Sequence, residues 1–156
     1  LGPGAQGMSR TGLGLGGILF PTPLSFQEAV PGQLFRSALE NIAYSIRSNC
    51  QLLEQVTSIG IRTIHLGGGM ANNRLLAHIL ANVLGKEVYR TLPSQVSSRG
   101  ACMAAAVMTG HFPSLEEACR SLLDSQEIVS PDSSTSAEYE EQYQRWLKLY
   151  QTLEPQ

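Results

Sequence analysis

Apolar residues at Leu39, Ile42, Ala43, Ile46, Cys50, Leu53 and Val56 recur in steps of three and four. That spacing lines one face of a helix and predicts one from Gly32 to Thr57. Arg36, Glu40, Arg47 and Glu54 fall mostly elsewhere on the wheel, and Gly60 follows as a stop. Ile61 to Leu66 is short, β-branched and apolar, so it reads as a strand, broken at once by Gly67, Gly68 and Gly69. A second helix is predicted from Asn72 to Leu84, with Leu75, Leu76, Ile79, Leu80 and Val83 on one side and Gly85 at its end. Glu87 to Arg90 reads as a second strand, and Pro93 with Ser94 as a turn.

An Ala-rich helix is expected from Gly100 to Thr109, where small side chains permit close approach to a sheet or another helix. Ser114 and Glu117 have the spacing of a capping box, which opens a short helix to Leu123. A polar turn from Ser130 to Thr135 precedes a last helix, Ser136 to Leu153, with Tyr139, Tyr143, Trp146, Leu147 and Tyr150 on one face. Strands alternating with helices give an α/β layered domain whose carboxy-terminal half is rich in helix. Two strands are few for such a sheet. Either Gly17 to Phe20 supplies another, or strands come from a segment outside this sequence.

Composition narrows the class. At 156 residues the chain is one domain's worth, and 42% hydrophobic against 15% charged residues excludes wholesale disorder. The formal charge is −2, without the basic surplus of a nucleic-acid binder. No apolar run of about 20 residues predicts a membrane span, and the Gly-rich start lacks a signal-peptide layout. Cys50, Cys102 and Cys119 show no metal-ligand spacing and read as reduced, mostly buried thiols of a cytoplasmic protein. Residues 1–32 hold eight of the 15 glycines and four of the eight prolines, a loop-rich lead-in to an ordered unit at 33–156. Such an opening suits the later half of a longer protein.

Two glycine stretches invite a phosphate-binding reading. Gly12 to Gly17 satisfies G-x-G-x-x-G, but no strand precedes it, and Pro21 and Pro23 prevent a helix after it. The run from His65 to Asn73 has the required order: strand, glycine turn, helix start. Bare glycines let backbone amides approach an anion, and the following helix adds partial positive charge. Either Asn72 or Asn73 can cap that helix, leaving the other toward a ligand. The spacing alone fits equally well a turn in which glycine supplies only a positive φ.

Four blocks in order resemble the carboxy-terminal domain of the FGGY family of carbohydrate kinases, from Pro21 to Leu153. They are Gln33 to Glu40, Leu66 to Leu76 with its Gly-Gly-Gly-Met-Ala-Asn-Asn, Ile79 to Val88, and Ser98 to Ala106. The resemblance implies a ribonuclease-H-like domain of the actin and hexokinase superfamily. It implies ATP and Mg²⁺ as cofactors, a sugar or polyol (a pentulose or pentose, for instance) as acceptor, and a second, amino-terminal domain as partner. Gly68 matches the family glycine at the ATP phosphates, and Asn72 the asparagine beside the nucleotide. Gly67, Gly69, Met70 and Asn73 are the expected neighbours on the adenosine side. The family's phosphate-gripping hairpin and catalytic Asp lie before the region present, so no catalytic residue is assigned here. Asp124 and Asp132 match no catalytic position. The chain departs from the family pattern at Pro23, Asn41 and Gln95. A homodimer stays open.

The remaining candidates are weaker. His65, His78 and His111 have no paired carboxylate at metal spacing, and no metal site is expected. Cys102 and Cys119 read as packing residues. The aromatic face of the last helix reads as packing rather than base stacking, and Arg36 and Arg47 as partners of acids rather than of phosphates. A rival function is a non-catalytic, actin-like module that binds nucleotide or docks a partner. A third is a plain α/β domain with an empty turn.

Overall fold

The computed structural model describes residues 30–92, 95–122 and 126–153. The predicted elements appear in order, with a 3-10 turn and a third strand added: α1 (Pro31–Thr57), β1 (Ile64–Leu66), a 3-10 turn (Gly69–Asn72), α2 (Arg74–Leu84), β2 (Val88–Thr91), α3 (Val96–Met108), α4 (Leu115–Leu122), β3 (Gln126–Val129) and α5 (Ser133–Leu153). The sheet order is β1-β2-β3, parallel between β1 and β2 and antiparallel between β2 and β3.

β3 is a strand that the apolar pattern does not predict. Four residues with a single inward apolar side chain, Val129, leave almost no periodicity to detect. The candidate strand at Gly17 to Phe20 lies outside the described residues, as do the Gly12 to Gly17 loop, the turn at Pro93 and Ser94, and Asp124.

α2 holds the layers together. Leu76, Ala77, Ile79, Leu80, Ala81 and Val83 are buried around most of its circumference, because the sheet lies on one side and α1 and α5 on the other. On the sheet, Val88, Arg90 and Val129 face α2, while His65, Tyr89 and Ile128 face away. That outer face is open: Ile128 is 53% exposed, and His65 stacks on Tyr89 at 5.2 Å.

The aromatic face of α5 packs, as its spacing predicts. Tyr139 and Tyr143 are buried against Tyr44 of α1, and Trp146 is half-buried beside them. The Trp146 indole donates to Asn41 Oδ1 at 2.9 Å, so this departure from the family pattern ties α5 to α1. Arg36 pairs with Glu40 at 2.8 Å. Arg47 donates to the Val83 carbonyl at 2.9 Å, pairs with Glu140 and lies over the Tyr143 ring. Both arginines thus serve packing and ion pairs, as expected.

The cysteine expectation needs correcting. Cys102 and Cys119 are exposed, and Cys50 is half-buried, where desolvation raises its thiol pKa. The reason is that α3 packs mainly on α4 and buries none of its own residues, and that α4 turns Ala118 inward and Cys119 outward. An Ala-rich composition permits close approach but does not provide a surface to approach.

α5 begins three residues before its predicted start. Asp132 caps it, its Oδ1 accepting from the Ser134 hydroxyl at 2.6 Å and the Thr135 amide at 2.8 Å. Those bonds, the Ser134 hydroxyl first, lower its pKa from 3.8 to about 2. A lowered folded-state pKa means that the cap's contribution is complete above pH 3.8 and is lost as pH falls through about 2. In an acid titration, the amide signal of Thr135 should therefore move with that low midpoint. A midpoint near 3.8 would contradict the capping role.

Candidate functional site

The glycine turn closes β1 at the edge where α2 and α3 begin. Gly68 has φ 75° and ψ −168°, a region open in practice only to glycine. Among the described residues, a Cβ added at Gly68 or Gly69 would meet nothing within 4 Å. Gly67 is glycine for a different reason: a Cβ there would come within 3.0 Å of Val96 Cγ2 at the start of α3.

The helix starts at Arg74, two residues after the predicted Asn72. A 3-10 turn, Gly69–Asn72, intervenes, closed by the Ala71 amide on the Gly68 carbonyl at 3.0 Å and the Asn73 amide on the Met70 carbonyl at 3.1 Å. Asn73 is the N-cap of α2, its Oδ1 accepting from the Leu76 amide at 3.1 Å. The pair of asparagines is thereby divided, with Asn73 turned to the helix and Asn72 exposed on the turn. Met70 is 45% exposed on the same surface. Replacing Asn73 by Ala should cost about 1 kcal/mol of stability through loss of the cap. Chemical denaturation checks this, and an unchanged midpoint would remove Asn73 from the cap.

Electrostatics behind the turn come from a cluster that the apolar pattern does not single out. Arg90, only 3% exposed, donates from Nε to the Ala71 carbonyl at 2.8 Å and pairs with Glu127 through Nη1. Glu127 also accepts from Arg74 Nη2 at 2.8 Å, and that contact, first among several, lowers its carboxyl pKa. The sequence signal was a charge at an inward strand position, two residues after Val88. His78 and His111 are exposed, and no three His, Cys, Asp or Glu side chains gather as a metal would require among the described residues.

Residues 12–109 match the carboxy-terminal domain of the FGGY family of carbohydrate kinases. The chain belongs to that family. The family match begins earlier than the resemblance read from Pro21 and stops at the end of α3. Xylulose kinase from Lactococcus lactis is 30% identical over 116 residues, 74% of this chain and 23% of that protein. Glycerol kinase 2 from Thermotoga maritima is 30% identical over 113 residues, 72% of this chain and 22% of that protein. Among solved FGGY structures, xylulose kinase from Rhodospirillum rubrum superposes with a TM-score of 0.67 at 26% identity, covering 85% of this chain and 26% of that one. The fold is thus that of the actin-like FGGY kinases, with a small mixed sheet and many helices. The chain spans about a quarter of the length of these relatives. Among the described residues no helix is long and apolar enough to cross a membrane.

Proposed function

We propose that this chain is the ATP-side, carboxy-terminal domain of a carbohydrate kinase, with residues 33–156 forming the domain and 1–32 leading into it. Gly67, Gly68, Gly69, Met70, Asn72 and Asn73 form its nucleotide site. The observation that carries this reading is the backbone of Gly68, held at a positive φ beside an open surface, in a chain of this family.

Each residue has a part. A 3-10 turn leaves its first amides without partners inside the turn, so Gly69 and Met70 present N–H groups to an anion. Gly68 and Gly69 add no bulk, and the β- and γ-phosphates can approach the backbone. Met70 offers an apolar, adaptable contact to the adenosine, and Asn72 a polar one. Asn73 and Gly67 act from behind, by starting α2 and by admitting Val96.

The acceptor is a sugar or polyol held between this domain and an amino-terminal partner domain of the same enzyme. Closure of the two would shut out water and favour transfer to the sugar hydroxyl over hydrolysis. Phosphoryl transfer needs phosphate clamping and a positioned base. The base and the rest of the phosphate clamp are assigned to the partner domain, so this chain alone binds ATP weakly and transfers nothing. The ATP is taken with Mg²⁺, but the described residues gather no cation cluster, and no step here is assigned to the metal. The enzyme is placed in the cytoplasm, where ATP and phosphorylated sugars are handled.

Calorimetry of the full-length product with ATP, followed by transfer assays on a panel of pentuloses, pentoses and glycerol, tests the reading. Binding with transfer supports it. Binding without transfer to any acceptor would favour the actin-like binding module instead.

A further inference from the structure

We propose that Arg90 is a positioning residue for the nucleotide turn, a proposal that rests on the ATP reading of that turn. Arg90 reaches the turn from beneath. Leu66 and Arg90 are register partners in the parallel β1-β2 pair, and Arg90 and Glu127 in the antiparallel β2-β3 pair. Strand alternation points Arg90 and Glu127 toward α2. The turn begins where β1 ends, so the guanidinium arrives directly under residue 71.

Ala71 is fully buried and is held on both sides. Its amide donates to the Gly68 carbonyl at 3.0 Å, and its carbonyl accepts from Arg90 Nε at 2.8 Å. Glu127 then fixes the guanidinium through Nη1 and also holds Arg74, the first residue of α2. The bend at Gly68, the start of α2, β2 and β3 are thus joined through one buried side chain. A buried charge is tolerated only when it is paired and hydrogen-bonded, and this one is both. The planar fork matters: Nε and Nη1 are separate nitrogens held in one plane and reach two separated acceptors at once, a fixed geometry that the single nitrogen of an ammonium does not reproduce. Its consequence for ATP is pre-organisation. The turn amides are set before the phosphates arrive, so binding does not have to order them.

Three kinases are compared: wild type, Arg90→Lys and Gly68→Val, as full-length proteins, with KM for MgATP, KM for the sugar and kcat measured for each. Arg90→Lys keeps the charge beside Glu127 and loses the bond to Ala71. Its KM for ATP should rise about tenfold, in keeping with one hydrogen bond to a charged group, while the sugar KM stays at the wild-type value. Turn amides 69–73 should also exchange faster with solvent in the nucleotide-free protein. A wild-type ATP KM in Arg90→Lys overturns the proposal, as does a rise shared equally by both substrates or an unchanged exchange rate. If Arg90→Lys does not fold, Glu127→Gln replaces it; its ATP KM should rise alone, and an unchanged value overturns the proposal. Gly68→Val separates the two levels. If it too leaves ATP KM unchanged, the nucleotide turn itself is wrong; if it raises ATP KM while Arg90→Lys does not, only the positioning role fails.

Discussion

On the proposed kinase activity, Gly68→Val should raise the full-length protein's KM for ATP by about ten- to a hundredfold while leaving the sugar KM near wild type. At φ 75° and ψ −168° a β-branched residue is strained by about 1–3 kcal/mol, and the backbone relieves that strain by turning its amides away. Among the described residues nothing lies within 4 Å of the added Cβ. The damage therefore falls on the direction of the backbone rather than on packing. The fold should survive, because the turn is a surface feature and the core lies under α2. Steady-state kinetics at varied ATP and saturating sugar reads the effect. An unchanged KM would remove the turn from the nucleotide site.

Tyr143→Ala should cost about 3–5 kcal/mol, the loss expected when a large buried aromatic is truncated. Tyr143 is 1% exposed and among the largest fully buried side chains. Its ring lies 4.2 Å beneath the Arg47 guanidinium carbon and packs on Tyr44 and Trp146, while its hydroxyl donates to Gln51 Oε1 at 2.6 Å. A domain of this size is stable by only about 5–15 kcal/mol, so the loss is a large share of the total. Tyr143→Phe separates the parts: it keeps the ring and should cost about 1 kcal/mol for the lost hydrogen bond. Urea unfolding measures both. A cost below about 1 kcal/mol for Tyr143→Ala would mean that α5 is not held on α1 as described.

How far the sequence discloses this molecule depends on length and periodicity. α1 and α5 are long enough for their apolar faces to repeat many times, and their extents follow from the pattern to within a few residues. α2 is legible for the same reason, although its first turn is displaced by the 3-10 segment. That displacement comes from hydrogen bonds made by Ala71 and Asn73, which no spacing of apolar residues records. β3 is too short to carry a period. The exposure of Cys102 and Cys119 depends on what lies beside α3 and α4, a tertiary matter that helix composition leaves open.

The candidate site divides in the same way. The glycines and asparagines of residues 67–73 stand out because three consecutive glycines and two adjacent N-cap residues fall between a strand and a helix. The support under them does not. Arg90 and Glu127 are 37 residues apart and meet only through the β2-β3 register. A charged side chain at an inward strand position is the one trace of that contact in the sequence, and its partners emerge only with the fold.

Hydrogen exchange on the full-length protein, with and without Mg²⁺ and a non-hydrolysable ATP analogue, bears most directly on the proposed nucleotide turn. The amides of residues 67–73 should be the region of this domain most strongly slowed by the nucleotide, with α5 little changed. Protection elsewhere in the kinase, with residues 67–73 exchanging as fast as in the free protein, would contradict a nucleotide site at Gly68.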